Sequence, residues 1–248
     1  MNELILIASV VILYSLVLVW YKFFGKVGLY CFTVFATILA NIEVLMLVEA
    51  FGIEMTLGNI LFATTFIVTD ILSENEGKEE ANKAANIGIA TGLCFAIVSS
   101  SWLLYSPSAN DWAYPAIKTL FSATPRIIFA SLIVYIIAQK LDIWLYHKIW
   151  EKTEKKYGDK KGYLWIRNNV ATMTSQLVNA ILYNLFAFYG IYSADTLMKI
   201  IISTFCISIV TSVLDTPVVY IARRPFGHEE LPLCGSNEDW PSARMKTR

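Results

Sequence analysis

The chain has 248 residues, 56% of them hydrophobic and only 16% charged, with zero formal net charge and a mean hydropathy of +0.54. A soluble domain carries about 25% charged residues; a chain this small has too much surface to hide such apolar content, so lipid is the solvent that tolerates it. Neutrality speaks against a nucleic-acid-binding face, and four scattered cysteines (Cys31, Cys94, Cys206, Cys234) with two histidines speak against a disulfide framework or a zinc site.

A membrane-spanning helix needs about 20 apolar residues. Seven runs meet or approach that length: 4–21, 28–51, 57–73, 87–105, 127–147, 170–190 and 198–221. The first follows Met1-Asn2-Glu3, which is not basic, and no small-residue cleavage site precedes Lys22. It therefore reads as a retained span rather than a signal peptide. The third is short and carries Thr64, Thr65, Thr69 and Asp70, which leaves open a tilted span or a re-entrant segment. None of the runs alternates with a period of two, so helices are expected rather than a barrel.

Lys and Arg are segregated between alternate connections. One side holds Lys22 and Lys26, then Lys78 and Lys83, then eight residues from Lys140 to Arg167, then five from Arg223 onward. That is 17 of the 20 basic residues. The positive-inside rule then places the N-terminus outside and the C-terminus in the cytoplasm, with all seven runs crossing. Trp20, Trp102, Trp112, Trp144, Trp150 and Trp165 fall near span ends, as an interfacial belt requires. Residues 151–162 form a charged cytoplasmic loop, helical at its edges. The expected organisation is one membrane domain over 1–225 and a flexible polar tail over 226–248 that contains Pro232, Gly235 and Pro241.

Within hydrocarbon each ionisable side chain needs a partner, water or a function, because its insertion costs about 2.5–3.5 kcal/mol. Asp70, Glu74, Gln139, Asp142 and Asp215 fall near the cytoplasmic ends of their spans, where pairing with interfacial Lys or Arg is the simplest reading. Asn41, Glu43, Ser131, Gln176 and Asn179 lie deeper. A buried carboxylate among amides suits a polar planar ligand, the bland alternative being interhelical hydrogen bonds of about 0.6 kcal/mol each. Arg126, near the outer surface, is placed to draw in a ligand or to snorkel. Gly88-x-x-x-Gly92 and Ala36-x-x-x-Ala40 permit close helix approach, and Pro217 is expected to bend the last helix.

The stretch Thr69-Asp-Ile-Leu-Ser-Glu-Asn-Glu-Gly77 followed by Ala81 resembles the signature of the queuosine precursor transporter family, also described as vitamin uptake transporters. Matches continue in order through Arg126 with Ala130-Ser131, Tyr135, Gln139 and Asp142, then Arg167-Asn168-Asn169 with Ser175-Gln176, then Asp215-Thr216-Pro217 with Tyr220. The resemblance covers about 28–221. It implies an all-α integral membrane protein with a six-helix core similar to the substrate-binding components of energy-coupling-factor transporters, to which span 4–21 is an addition. It also implies import of 7-deazaguanine bases for transfer RNA modification, across the inner (plasma) membrane, without a cofactor. Two positions depart from the pattern: Asn179 stands where an acid is usual, and Glu76 stands where an aromatic is usual.

The residues fit such a ligand. A 7-deazaguanine presents a ring N–H and an exocyclic amine that one carboxylate accepts together, a carbonyl that accepts from an amide or Arg, and a face that stacks on aromatic rings. The candidate binding set is Asn41, Glu43, Asp70, Arg126, Ser131, Gln139, Gln176, Asn179 and Asp215, with Glu43 the leading acceptor.

Other classes fare worse. An intramembrane serine protease needs a membrane His, whereas His147 is at a boundary and His228 in the tail; no Gly-x-Ser-Gly motif occurs, and no Gly-Asp pair lies within an apolar run. No Gly-rich phosphate loop binds ATP. Energy would come from a gradient, from trapping of the ligand, or from an energising partner docked on Ala36 and Ala40; a homo-oligomer is equally compatible. If Glu43 accepts the ligand, Glu43→Gln weakens binding of the base more than Glu49→Gln. Equal and small effects in a binding titration would remove Glu43 from the site.

Overall fold

A computed structural model describes residues 1–122, 125–159, 162–190 and 193–223. Its elements run α1 (Asn2–Glu43), β1 (Leu47–Ala50), β2 (Ile53–Thr56), α2 (Gly58–Asn75), α3 (Lys78–Trp102), α4 (Tyr114–Phe121), α5 (Pro125–Tyr157), α6 (Leu164–Phe188) and α7 (Ala194–Ala222). The tail 226–248 lies outside the described residues.

The first two expected spans form one element, α1, folded back on itself. Gly25 breaks it at φ 57°, ψ −147°, a conformation open to glycine alone. The rings of Trp20 and Phe35 stack with centroids 6.4 Å apart; a straight helix would separate them by about 22 Å. At the fold, an added Cβ on Gly28 would stand 2.4 Å from the Trp20 carbonyl oxygen, so the return path depends on glycine. The two halves, 2–24 and 26–43, are each near the length of a span.

The second span ends earlier than the sequence suggested. Instead of continuing to residue 51, the helix stops at Glu43, and 47–56 forms an antiparallel hairpin pairing Leu47 with Thr56 and Ala50 with Ile53. Hydropathy does not distinguish the two, because Val48, Phe51 and Ile53 are apolar strand formers. Phe51 and Gly52 make the tight turn at positive φ. Asn2 Nδ2 donates to the Glu49 carbonyl (2.9 Å) and the Phe51 N–H to Glu3 (3.3 Å), which ties the hairpin to the start of α1. Two further differences lie in the connections. The short helix α4 was not foreseen; Asp111 Oδ1 accepts from the Ala113 and Tyr114 N–H groups at its start. And α5 continues through the charged segment to Tyr157, since Glu and Lys are good helix formers.

Among the described residues, α1, α3 and α7 are long and apolar enough to cross a membrane by length and composition. The third run is an unbroken helix, α2, packed on α1, α3, α5 and α7 and buried nearly all round. Its neighbours are protein rather than lipid, so it can hold Thr64, Thr65, Thr69, Asp70 and Ser73. The threonine hydroxyls fold back on their own helix: Thr64 to the Leu61 carbonyl (2.6 Å), Thr65 to Phe62 (2.7 Å) and Thr69 to Phe66 (2.9 Å). Elsewhere the usual distribution is inverted. Arg167, Asn168, Ser175 and Gln176 of α6 are buried, while Val170, Leu177, Ile181 and Phe186 face outward. On α7, Ile202, Val210 and Val213 are exposed and Asp215 is buried. Polar interior and apolar exterior are what a lipid solvent selects.

One ion cluster joins four of these helices. Glu74 of α2, 4% exposed, accepts from Arg167 Nε (3.0 Å) and Nη2 (2.6 Å), from Arg223 Nε (2.7 Å) and Nη2, and from the Tyr146 hydroxyl (2.6 Å). Arg167, fully buried, also donates to the Gly162 carbonyl (2.7 Å) and stacks on Trp150 with its guanidinium carbon 4.1 Å from the ring centroid. Removing one member leaves its partners buried and uncompensated, at a cost of about 3–5 kcal/mol. Glu74→Gln is therefore expected to lower the thermal stability of the detergent-solubilised protein by that order. Adding Arg167→Met to it should recover part of the loss, and strict additivity of the two changes would argue against the pair.

Candidate functional site

The C-terminal end of α1 and the N-terminal end of α2 meet closely, because an added Cβ on Gly58 would stand 2.7 Å from the Val44 nitrogen. Beside this junction lies an open cavity on the hairpin side of the molecule. Its walls come from five helices: Thr37, Asn41 and Val44 of α1; Asn59, Phe62 and Thr65 of α2; Gly92 of α3; Ser131 and Tyr135 of α5; Asn179 and Tyr183 of α6.

The chemistry of the lining is uniform. Among the described residues no ionisable acid or base lines it; amides, hydroxyls and rings do. Asn41 Nδ2 is spent on the Thr37 carbonyl (2.8 Å), leaving its Oδ1 as the acceptor for a ligand. Asn179 Nδ2 makes a long contact of 3.5 Å to Gln176 Oε1. The hydroxyls of Thr37 and Tyr135 are buried and face each other, with Thr65 beside Tyr135, but none of these contacts has the geometry of a full hydrogen bond. Hydroxyls on the cavity wall that are only loosely paired can turn to a polar guest. Phe62 and Tyr135 sit edge to face at 5.6 Å and supply the aromatic wall.

Of the residues singled out from sequence, the fold brings Asn41, Ser131 and Asn179 to this cavity. Gln176 is buried one turn below Asn179. Glu43 does not line the cavity: it is the last residue of α1 and only half-buried, because the helix ends there rather than carrying it deeper. Asp70, Gln139 and Asp215 lie beneath the floor. The side chain of Arg126 is outside the described residues. Asn59, Thr37, Thr65 and Phe62 were missed, and only Asn59, an amide at the head of an apolar run, carried a sequence signal.

The floor departs from the expectation of interfacial pairing. Of the five polar residues assigned to the cytoplasmic ends, only Glu74 meets an arginine. Gln139 is fully buried, donating to Thr65 Oγ1 (2.8 Å) and accepting from Thr69 (3.3 Å). Asp70 takes a hydrogen bond from Thr172 (3.2 Å), Asp142 from Ser175 (2.8 Å), and Asp215 from Asn168 (2.7 Å). The expected docking face is also used internally: Ala36 and Ala40 are buried in the core. Gly88 provides close approach, since an added Cβ would meet Thr33 and the Tyr135 hydroxyl, whereas at Gly92 it would make only an ordinary contact with Leu132 at 3.6 Å.

Comparison with known proteins gives two likenesses. Residues 56–222 match a family described as "Putative vitamin uptake transporter". A protein of Bacillus subtilis (strain 168) named "Probable queuosine precursor transporter" is 37% identical over 220 residues, covering 89% of this chain and 94% of the relative. No solved structure matches the chain.

The wall at Tyr135 is open to test. The hydroxyl stands 2.2 Å from where a Cβ on Gly88 would be, so Gly88→Ala must displace that ring. The expected result is weaker ligand binding with the protein still folded, read by titration of the purified protein. Unchanged affinity would take Tyr135 off the binding wall.

Proposed function

We propose, from the premise that the chain belongs to the vitamin uptake transporter family, that it is a membrane transporter importing 7-deazaguanine precursors of queuosine for transfer RNA modification. The observation that carries the substrate class is the uncharged cavity in which amides, hydroxyls and aromatic rings converge from five helices. A fused bicyclic base with an amide edge and an amino group asks for such an environment: rings to stack on, and amide oxygens to accept from its N–H groups. The 37% identity over nearly the whole chain to a protein named for queuosine precursor transport supports the same reading.

The lining further orders the candidate bases. A cationic aminomethyl group would enter this cavity without a facing carboxylate among the described residues, at the cost of its desolvation. The neutral nitrile-bearing base avoids that cost and is the preferred guest. Asn41, Asn59 and Asn179 read its polar edge, with Ser131, Thr37 and Tyr135 completing it. Glu43, at the rim, is left to attract rather than to hold.

Orientation follows from the basic residues, with the N-terminus outside and the long Lys-rich connection in the cytoplasm of a multi-pass plasma-membrane protein. The cavity then lies in the outer half, where a scarce base is captured. With Ala36 and Ala40 buried, nothing favours the alternative of a binding subunit docked on a separate ATPase through that face.

The test is the queuosine content of transfer RNA in a bacterium lacking both queuosine synthesis and its own importer. Cells expressing this chain and supplied with the nitrile base at low concentration should regain queuosine. Asn179→Ala at equal protein level should reduce it at limiting base. No recovery with any precursor base, with the protein present in the membrane, would sink the substrate assignment.

A further inference from the structure

Below the cavity, three aspartates from three helices converge in the interior. Asp70 of α2 is 1% exposed, Asp142 of α5 0% and Asp215 of α7 2%. Asp142 lies against Asp70, and Asp215 is close enough for the three charges to act on one another. Among the described residues their donors are neutral and come from α6: Thr172 to Asp70, Ser175 to Asp142 and Asn168 to Asp215, with Thr172 also facing Asp142. Asp70 Oδ1 and Asp142 Oδ2 have no hydrogen-bond partner among the described residues.

No cation among the described residues pairs with them. Arg167 and Arg223, the basic groups that reach the interior, are both committed to Glu74. Lys140, two residues before Asp142, points to α3, where Asn82 (2.9 Å) and Asn86 (2.6 Å) hold it. The other titratable groups around the three aspartates are Tyr14 of α1, whose hydroxyl donates to the Thr211 carbonyl (3.3 Å), and Tyr146 of α5, bound to Glu74. A second observation comes from a side chain that is not acidic. Asn168 gives its nitrogen to Asp215, and its Oδ1 is a buried acceptor without a donor. Buried acceptors without a donor thus accumulate along α2, α5 and α6, while the hydroxyls of Ser73 and Ser212, one turn from Asp70 and Asp215, are also unpartnered among the described residues. Three ionised carboxylates at that depth would repel one another and carry the full desolvation cost. Two carboxyls in contact make a hydrogen bond only when one of them holds a proton. A proton shared between the Asp70 and Asp142 carboxyls would supply that hydrogen bond and lower the charge held at this depth.

The acids are also linked to the cavity. Thr65 lines it and accepts from Gln139, which accepts from Thr69, the neighbour of Asp70. Gln139 stands one helical turn before Asp142 and one after Tyr135. A ligand that engages Tyr135 and Thr65 thus pulls on the elements that set the spacing of Asp70 and Asp142.

We propose that Asp70, Asp142 and Asp215 form a proton-binding site that couples proton entry to uptake of the base. The proposal rests on the transport reading above. Protonation from outside neutralises the trio and lets α2, α5 and α7 pack around a loaded cavity; release to the cytoplasm restores the repulsion and loosens them. Asp142 acts as a coupling residue that does not touch the base.

The full-length protein in proteoliposomes with tritiated nitrile base (7-cyano-7-deazaguanine) decides this. Counterflow, which needs no gradient, comes first: if no base exchanges, the transport reading falls and this proposal with it. Where exchange occurs, an inward proton gradient should drive accumulation, and an entrapped pH dye should report acidification on adding base. Asp142→Asn should keep counterflow and lose gradient-driven accumulation, and Asp142→Glu should restore part of it. Counterflow without acidification, accumulation driven by sodium alone, or wild-type accumulation by Asp142→Asn would each overturn the proton site while leaving transport intact. If Asp142→Asn fails to reach the membrane, the wild-type dye signal decides by itself.

Discussion

A buried arginine cannot be left alone in a membrane, and much of this structure follows from how Arg167 is accommodated. Its guanidinium is surrounded by the Glu74 carboxylate, the Gly162 carbonyl and the Trp150 ring. Glu74 in turn takes Arg223 and Tyr146. Each group comes from a different helix or helix end, so α2, α5, α6 and α7 are fixed relative to one another at the end opposite the hairpin. Hydrophobic attraction cannot do this in lipid, where the surroundings are as apolar as the side chains. A buried ion cluster adds less stability than its Coulomb energy suggests, but it discriminates sharply among packings, because most alternatives would leave a charge unpaired.

With one end fixed, the polar residues of α2 become intelligible as an ordered column. Nearest the cluster are the three aspartates, then Gln139 between Thr65 and Thr69, then the cavity with its amides and rings. The column runs from an ion cluster of one carboxylate and two guanidiniums, through three buried acids, to a cavity whose described lining carries no charge. The two halves of α1 brace the same architecture. Tyr21 donates to Glu76 (3.4 Å) and Tyr30 to Glu80, holding the α1 fold against the turn between α2 and α3.

Close helix approach supplies the remaining precision. Gly88 brings α3 against Thr33 of α1 and Tyr135 of α5, and Gly58 lets the head of α2 meet the end of α1. Both contacts border the cavity, so its shape depends on small residues that line it only in part. The sequence alone marks Gly88 for packing, and that is its use here, although the wall it positions belongs to the binding site.

The sequence by itself determined the solvent, the all-helical class and the family, because hydropathy over about 20 residues and an ordered set of motifs are local properties. It also marked Asn41, Ser131 and Asn179, amides and a hydroxyl too polar for lipid. It did not determine the hairpin at 47–56, since apolar strand and apolar helix look alike in hydropathy and Gly52 is a single residue. Nor did it separate Glu74 from Asp70, Asp142 and Asp215. All four sit near span ends in the sequence, and whether an acid there meets an arginine or another acid depends on how α2, α5, α6 and α7 are rotated. Only the tertiary structure decided that, because helix rotation is set by packing between segments distant in the chain.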